Sequence, residues 1–285
     1  MMVRIFSHVF GAVLLLLVLG VGGLRAESDY FQEIDAGLHV GMFIAPTPST
    51  SGDSTILVIR VSPAEYEFRL LTAREIGNKG MTVRQWCISF GLIAGINAGM
   101  FQADHLTHAG YMKNGDHVLS AGVSSQYLSA LAFNPAGPDA QGIRIFDLDE
   151  VALSDVAKKY HTVIQNLRLI KRPRENKWSQ QDRIWSEAAL GQDKSGNILF
   201  IFSRSPYSMH DFNNILLELP IDIVCAQHLE GGAQASVYLS HKGVEIDEQG
   251  CIKHACDETE GLEGVWRIPN VLGFFKKTNE IGRNP

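Results

Sequence analysis

Cysteine is scarce in this chain, long apolar runs stop after the first two dozen residues, and basic residues do not outnumber acidic ones. Four cysteines in 285 residues are too few for a disulfide scaffold. Glycine (27) and proline (10) stand near ordinary usage, which excludes a collagen, a linker protein and a disordered tail. No run of about eighteen apolar residues occurs beyond the start, so a bundle of membrane-spanning helices is excluded. With 25 Lys and Arg against 31 Asp and Glu, the formal net charge is −6. That leaves no basic footprint for nucleic acid, and no nucleic-acid partner is expected. A Gly-x-Ser-x-Gly elbow, a P-loop and a His-Glu-x-x-His helix are also missing. What remains is an ordinary apolar content of 45% in a chain long enough to bury a large core.

The start reads as a targeting segment. Arg4 gives a positive n-region, and Val9 to Val21 an apolar h-region around Leu14-Leu15-Leu16-Leu17. Leu24-Arg25-Ala26 fits a cleavage site, so residues 1–26 are expected to be a signal peptide. The alternative is an uncleaved anchor. Cleavage deepens the negative charge by two, because Arg4 and Arg25 leave and no acid does. No stable membrane span is expected after cleavage, and the protein is expected to be periplasmic or secreted. In an oxidising compartment Cys251 and Cys256 are placed to bridge; a metal site with His254 is the rival, but its spacing matches no common zinc pattern. Cys87 and Cys225 read as small buried hydrophobes.

Along the chain, Thr55-Ile56-Leu57-Val58-Ile59-Arg60-Val61 is β-branched and predicts a strand. Tyr66 to Leu70 alternates apolar and charged and predicts a half-buried partner strand. Thr82 and Gln85 form a capping box, and Val83, Trp86, Cys87 and Phe90 share a helical face that Gly91 ends. Leu92 to Ile96 is a short buried strand. Asn114-Gly115 predicts a hairpin. Strands are expected over Ser129–Phe133, Ile143–Leu148 and Thr162–Ile170, with a helix near Ser154–Tyr160 and a polar surface loop over residues 171–182. Ala188–Gly191 and Ile198–Phe202 flank a turn at Asp193–Gly196. Ser208 and Asp211 cap a helix that Pro220 stops, and strands follow at Ile221–Ala226 and Ala235–Leu239. The predicted fold class is α+β, a mixed or antiparallel sheet core with few flanking helices in a single domain.

Twice the chain runs from capped helix to buried strand to a polar residue followed by glycine, first at Asn97-Ala98-Gly99 and then at Glu230-Gly231-Gly232. Small residues at strand ends let the backbone approach a bound group. Glu230 is therefore a candidate catalytic carboxylate or a solvated turn residue, and Asn97 a ligand anchor or a turn cap. His105 and His108 have His-x-x-His spacing without a helix around them, so they read as unrelated loop histidines. Trp178 and Trp185 are either sugar-stacking rings or loop residues packed on the core. No metal and no cofactor are expected.

These segments carry a resemblance. Leu92-Ile93-Ala94-Gly95-Ile96-Asn97-Ala98-Gly99-Met100-Phe101 followed by Gly110-Tyr111-Met112-Lys113-Asn114-Gly115 resembles the first signature of the phosphodiester glycosidase family. Ala188-Ala189-Leu190-Gly191-Gln192-Asp193-Lys194-Ser195-Gly196 resembles its central hairpin. Leu229-Glu230-Gly231-Gly232-Ala233-Gln234-Ala235-Ser236 resembles its late Asp-Gly-Gly-x-Ser signature. The resemblance implies a family domain over residues 55–275, after an N-terminal segment (27–54) and before a tail (276–285). It also implies an exported hydrolase of sugar-1-phosphodiesters, with a carbohydrate or sugar-phosphate substrate; a non-catalytic glycan binder on the same fold is the alternative. There the leaving group is a phosphate monoester, a stable anion with a second pKa near ~6, so donors on the phosphate matter more than a strong general acid. The implied roles are Glu230 as base or nucleophile, Asp193 as second carboxylate, Asn97 and Gly99 at the substrate, Gly231 and Gly232 amides on the phosphate, and Ser236 beside them. The chain departs from the family in having Glu230 for Asp, a later serine, and Glu187-Ala188 where an Arg-Thr pair is usual. Arg168 or Arg183 is then the candidate replacement for the arginine.

Overall fold

The structure is a computed structural model that describes residues 30–251, Cys256 and 266–278. The expected signal segment, His254 and the last residues of the tail lie outside them.

Three antiparallel sheets enclose one core. The first has eight strands in the order Gln32–Asp35, Leu38–Ile44, Thr55–Val61, Ile198–Tyr207, Trp185–Asp193, Ile223–Gly231, Arg168–Lys171 and Glu175–Asn176. The second orders His117–Ser120, Met112–Asn114, Tyr160–Asn166, Ser129–Pro135 and Arg144–Asp147. The third orders Val244–Gln249, Ser236–His241, Ala94–Asn97, Asn270–Lys276 and Tyr66–Thr72. Every pairing among these strands is antiparallel. The central apolar cluster draws on all three sheets: Leu57, Leu190 and Phe200 from the first, Met112, Leu131 and Ile164 from the second, Ile96, Val237 and Phe274 from the third.

Each sheet is backed on its outer face by one helix. Helix α1 (Val83–Phe90) buries Val83, Trp86 and Cys87 on the third sheet, beside Tyr238 and Val271. It starts where Thr82 and Gln85 satisfy each other's backbone N–H groups and stops where Gly91 turns left-handed at φ 67°. Helix α2 (Leu153–Lys159) presses Val156 on the second sheet. Helix α3 (Met209–Glu218), capped by Ser208 accepting from the Asp211 N–H, lays Phe212, Ile215 and Leu216 on the first. Apolar burial at the Cys87 thiol pushes its pKa to about 12, as expected of a packing residue. The α+β expectation of an antiparallel core with few helices is met.

Two expected pairings differ. Tyr66–Thr72 does not pair with Thr55–Val61; it pairs with Asn270–Lys276 in the third sheet, and its Tyr66, Phe68 and Leu70 face Leu57 and Ile59 across the core. The turn at Ser62–Glu65, held by the Glu65 and Tyr66 amides on the Ser62 carbonyl, moves the chain from one layer to another. The expected strand over Thr162–Ile170 is two strands: Tyr160–Asn166 belongs to the second sheet and Arg168–Lys171 to the first. That crossing puts Asn166 and Leu167 between sheets. Residues 32–44 supply two strands that extend the first sheet.

Candidate functional site

The site grows from the junction of the first and third sheets. Ile223–Gly231 lies beside Trp185–Asp193 with Glu187 opposite Gly231, Ala188 opposite Glu230 and Ala189 opposite His228. Leu229 has no opposite residue there, and such a bulge re-aims the side chains around it. The chain then makes a single turn of 3-10 helix, Gly232–Gln234, and enters the third sheet at Ser236.

Asn97, at the end of Ala94–Asn97, ties that turn to the third sheet. Its Nδ2 donates to the Gln234 carbonyl at 3.0 Å, and its Oδ1 accepts from the Ser236 N–H at 2.8 Å and the Ser236 hydroxyl at 3.4 Å. The first glycine corner picked out in the sequence is therefore tied to the segment that follows the second. Gly99 is required where it stands: its φ is 144°, and a Cβ there would lie 2.3 Å from Asn166 Oδ1 and 2.5 Å from the His108 ring. Asn166 donates to the Ala98 carbonyl at 3.2 Å, while its Oδ1 is buried without a hydrogen-bond partner. His108 bonds the Gln165 carbonyl at 2.8 Å, and burial pushes its pKa down to about 4, so it stays neutral. His105 packs its ring at a tilt against Phe101, and the two histidines belong to no metal-ligating group among the described residues.

At the centre is an acid–imidazole–acid array. Glu187, His228 and Glu230 are all buried. His228 Nδ1 and Glu187 Oε1 share a short hydrogen bond, and Glu187 Oε2 accepts from Trp185 Nε1 at 2.8 Å. Gly231 is what admits that indole: a Cβ at Gly231 would stand 2.7 Å from Trp185 Cδ1. Burial works against a cation at His228, but the Glu187 charge and hydrogen bond and the Glu230 charge outweigh it, so its pKa lies above the ordinary imidazole value. Burial raises the Glu230 pKa, and Glu187 adds to this, against the opposing pull of His228 and of the Gly231 N–H at 3.0 Å. A carboxyl raised in this way is suited to exchanging protons nearer neutral pH.

Asp193 and Arg168 do not join this array. Asp193 is six residues along the same strand from Glu187, about 20 Å away at ~3.3 Å per residue. Its carboxylate is spent on its own turn, accepting from the Ser195 and Asn197 amides at 2.9 Å and Asn197 Nδ2 at 2.8 Å, with Arg60 at 3.4 Å. A cleft of about 890 Å³ opens at that end, between the Asp139–Arg144 loop and the Asp193–Asn197 turn. Arg168 pairs with Asp147 and with Asp149 at 2.6 Å, so its guanidinium is held at the rim of the second sheet. Arg183 is exposed two residues before Trp185. Gly231 spends its amide on Glu230 Oε1, whereas Gly232 has φ 68° and open space around its Cα. Trp178 and Trp185 are partly buried against the apolar cluster under α3, which is the packing reading of both.

The sequence reading missed Glu187 and His228 as partners. The signal was present: each is the charged or titratable residue inside an apolar run, Trp185–Leu190 and Ile223–Leu229, and a buried charge requires a partner. Only the register that sets one strand beside the other identifies that partner. Cys251 and Cys256 form the expected disulfide, with Cα atoms 5.2 Å apart. It adjoins the array, because Cys251 N donates to Ser186 Oγ at 3.0 Å and Gly250 N to the Ala235 carbonyl at 2.7 Å. No group of three or more metal-ligating side chains occurs among the described residues, and none of their helices is long and apolar enough to cross a membrane.

Three antiparallel sheets whose junction buries two carboxylates and an imidazole beside a glycine turn define a class of β-rich protein with a buried, carboxylate-bearing polar cluster. The sequence model of the phosphodiester glycosidase family matches residues 90–275, and the chain belongs to that family. No curated protein matches by sequence. Among solved structures, the chain is similar to the catalytic domain of zebrafish N-acetylglucosamine-1-phosphodiester alpha-N-acetylglucosaminidase, described as auto-inhibited by its pro-peptide. The TM-score is 0.60 at 14% identity, over 85% of this chain and 84% of that one. It is similar to the same degree, TM-score 0.60 and 14% identity, to a hypothetical protein from Synechocystis, over 85% of this chain and 62% of that protein's length. At this identity the two structures speak to the fold.

Proposed function

We propose that the protein is an exported hydrolase that cleaves the C–O bond between a sugar and the phosphate of a sugar-1-phosphodiester, in a glycan or envelope polymer. The observation that carries this reading is the meeting of two family signatures: Asn97 of the first holds Gln234 and Ser236 of the last, and Glu230 lies at the head of that turn. Glu230 acts as base or nucleophile at the anomeric carbon, where its raised pKa makes it the stronger base. The Gly232 amide, at the start of the 3-10 turn, faces the phosphate. Asn97 and Ser236 hold the turn in place rather than touching substrate, because their polar atoms are spent on each other and on Gln234. Periplasmic or secreted localisation is supported by the apolar leading stretch and the Cys251–Cys256 disulfide.

The test is release of free reducing sugar from a panel of sugar-1-phosphodiesters by the purified protein. Turnover that vanishes in Glu230→Gln at unchanged melting temperature supports the reading; no turnover across the panel counts against it. A second reading, a non-catalytic glycan binder, is favoured by Glu187 standing where the family carries arginine; saturable binding without turnover would establish it.

A further inference from the structure

At the Asp193 end of the molecule the first and second sheets part around the cleft of about 890 Å³. The Asp139–Arg144 loop, the Asp193–Asn197 turn and the Ser62–Ala64 corner wall it, with the side chains of Lys159 and Arg172. Such a volume holds a ligand of a few sugar rings. A smaller recess of about 230 Å³ shares Arg144, Phe146 and Arg172 with it.

The chain is acidic as a whole, yet this cleft gathers cations. Arg144, Lys159, Arg172 and Lys194 line it against Asp139 and Asp193. Asp193 is already met by Arg60 and its own turn, and Lys194 by Asp222. Among the described residues Arg144, Lys159 and Arg172 form no ion pair. What the two arginines touch is uncharged. Arg172 Nη2 donates to Gln192 Oε1 at 2.8 Å and to Cys225 Sγ at 3.1 Å. Burial lifts the Cys225 thiol to about 11 although both arginines pull it down, so the sulfur carries no charge near neutral pH. Gln192 is itself held, its Nε2 donating to the Ile143 carbonyl at 3.4 Å and the Gly196 carbonyl at 3.3 Å, one on each wall. That turns its oxygen toward Arg172. Arg144 lies over the Phe146 ring at 5.2 Å, which orients the guanidinium and leaves its charge. The Tyr160 hydroxyl, donating to the Gln141 carbonyl at 3.1 Å, braces the loop. Both arginines act on the same sulfur and line the same two cavities, so like charges are held together beside open space. An anion relieves that imbalance.

We infer that this cleft is a binding site for an anionic saccharide, whose phosphate or carboxylate groups are received by Arg172 and Arg144, with Lys159 at the rim. Gln192 and Phe146 hold the two guanidinium groups in place for it. Ser62, Gln141, Ser195 and Asn197 line the same walls and suit the hydroxyl groups of the rings. Two separate guanidinium forks favour a ligand with two or more anionic groups. The site stands at the opposite end of the Trp185–Asp193 strand from Glu187, so it is distinct from the proposed hydrolytic one and does not depend on it.

The probes are fructose 1,6-bisphosphate, trigalacturonate and the neutral maltotriose, titrated calorimetrically into the full chain at about pH 7.5, where carboxylates are ionised and phosphates carry most of their charge. The expected result is saturable binding of at least one charged sugar, weakened by added salt, and none of maltotriose. Which charged sugar binds more tightly tells a phosphate ligand from a carboxylate one. Arg144→Gln and Arg172→Gln should each weaken binding about tenfold or more at unchanged melting temperature, Arg172→Lys should weaken it less than Arg172→Gln, and Glu230→Gln should leave it unchanged. No saturable binding of either charged sugar, equal binding of maltotriose, or binding that Glu230→Gln abolishes and the arginine variants spare overturns the site. The outcome is separable from the proposed function. Sugar release from phosphodiesters without binding at the cleft defeats the cleft site alone; arginine-dependent binding without sugar release on any substrate defeats the hydrolase reading alone.

Discussion

The two ends of the Trp185–Asp193 strand look alike in sequence, since each offers a carboxylate next to glycine-bearing corners. They differ in who satisfies the carboxylate. At the far end, Asp193 is satisfied within four residues, by Ser195 and Asn197 of its own turn. At the near end, Glu187 takes an imidazole from the next strand besides the Trp185 indole that Gly231 admits, and Glu230, which accepts from the adjacent Gly231 N–H, is raised by burial. Side chains that hydrogen-bond their own neighbouring backbone build turns. Buried titratable groups held by distant residues store the electrostatic imbalance that chemistry draws on.

The largest difference is expected in turnover. Glu230→Gln should reduce sugar release by about 10²–10⁴-fold, with folding stability unchanged or raised because a buried charge is removed, whereas Asp193→Asn should leave turnover within about twofold. Steady-state kinetics beside thermal melts separates the two. Next in size is Glu187→Gln, which removes a charge-assisted hydrogen bond from buried His228 and should cost about 2–3 kcal/mol in denaturant unfolding. Asp193→Asn, keeping its shape and losing charged acceptors at a turn, should cost about 1 kcal/mol.

Glycine substitutions sharpen the same contrast. Gly99→Ala places a methyl against Asn166 and His108 and should destabilise by more than 2 kcal/mol as well as abolish turnover, an order-of-magnitude expectation from overpacking and backbone strain. Gly196→Ala, at φ 85° with open space around it, should cost only about 1 kcal/mol and spare activity. The smallest effect is on pH. A raised His228 pKa contributes stability that is fully present below the unfolded imidazole value and is lost as pH rises through the folded one. Burial of Glu230 acts in the same direction from a lower start, so unfolding free energy should decline from about pH 4.3 upward through Glu230 and more steeply above about pH 6.5 through His228, and His228→Gln should flatten the upper part of that decline.

Much of this was legible before any coordinates. The capping box at Thr82 and Gln85, the left-handed stop at Gly91, the Asn114-Gly115 hairpin and the Ser208 cap are local patterns, and local geometry honours them. The Cys251–Cys256 bridge was likewise expected. What escaped was long-range. Tyr66–Thr72 has the alternation of a partner strand, but alternation names a buried face and not the strand alongside, and the face proved to be the opposite wall of the core. Thr162–Ile170 reads as one apolar run because nothing local marks the change of sheet at Leu167. Asp193 and Arg168 were candidates through the family resemblance, and only distance and partners remove them from the array.

The most direct test of the central claim is to locate a bound sugar-1-phosphate, the substrate without its second ester, in a crystal of the protein. The account predicts density over Glu230, His228 and the Gly232 turn. Occupancy of the cleft between the Asp139–Arg144 loop and the Asp193–Asn197 turn, with the Glu230 end empty, would contradict it.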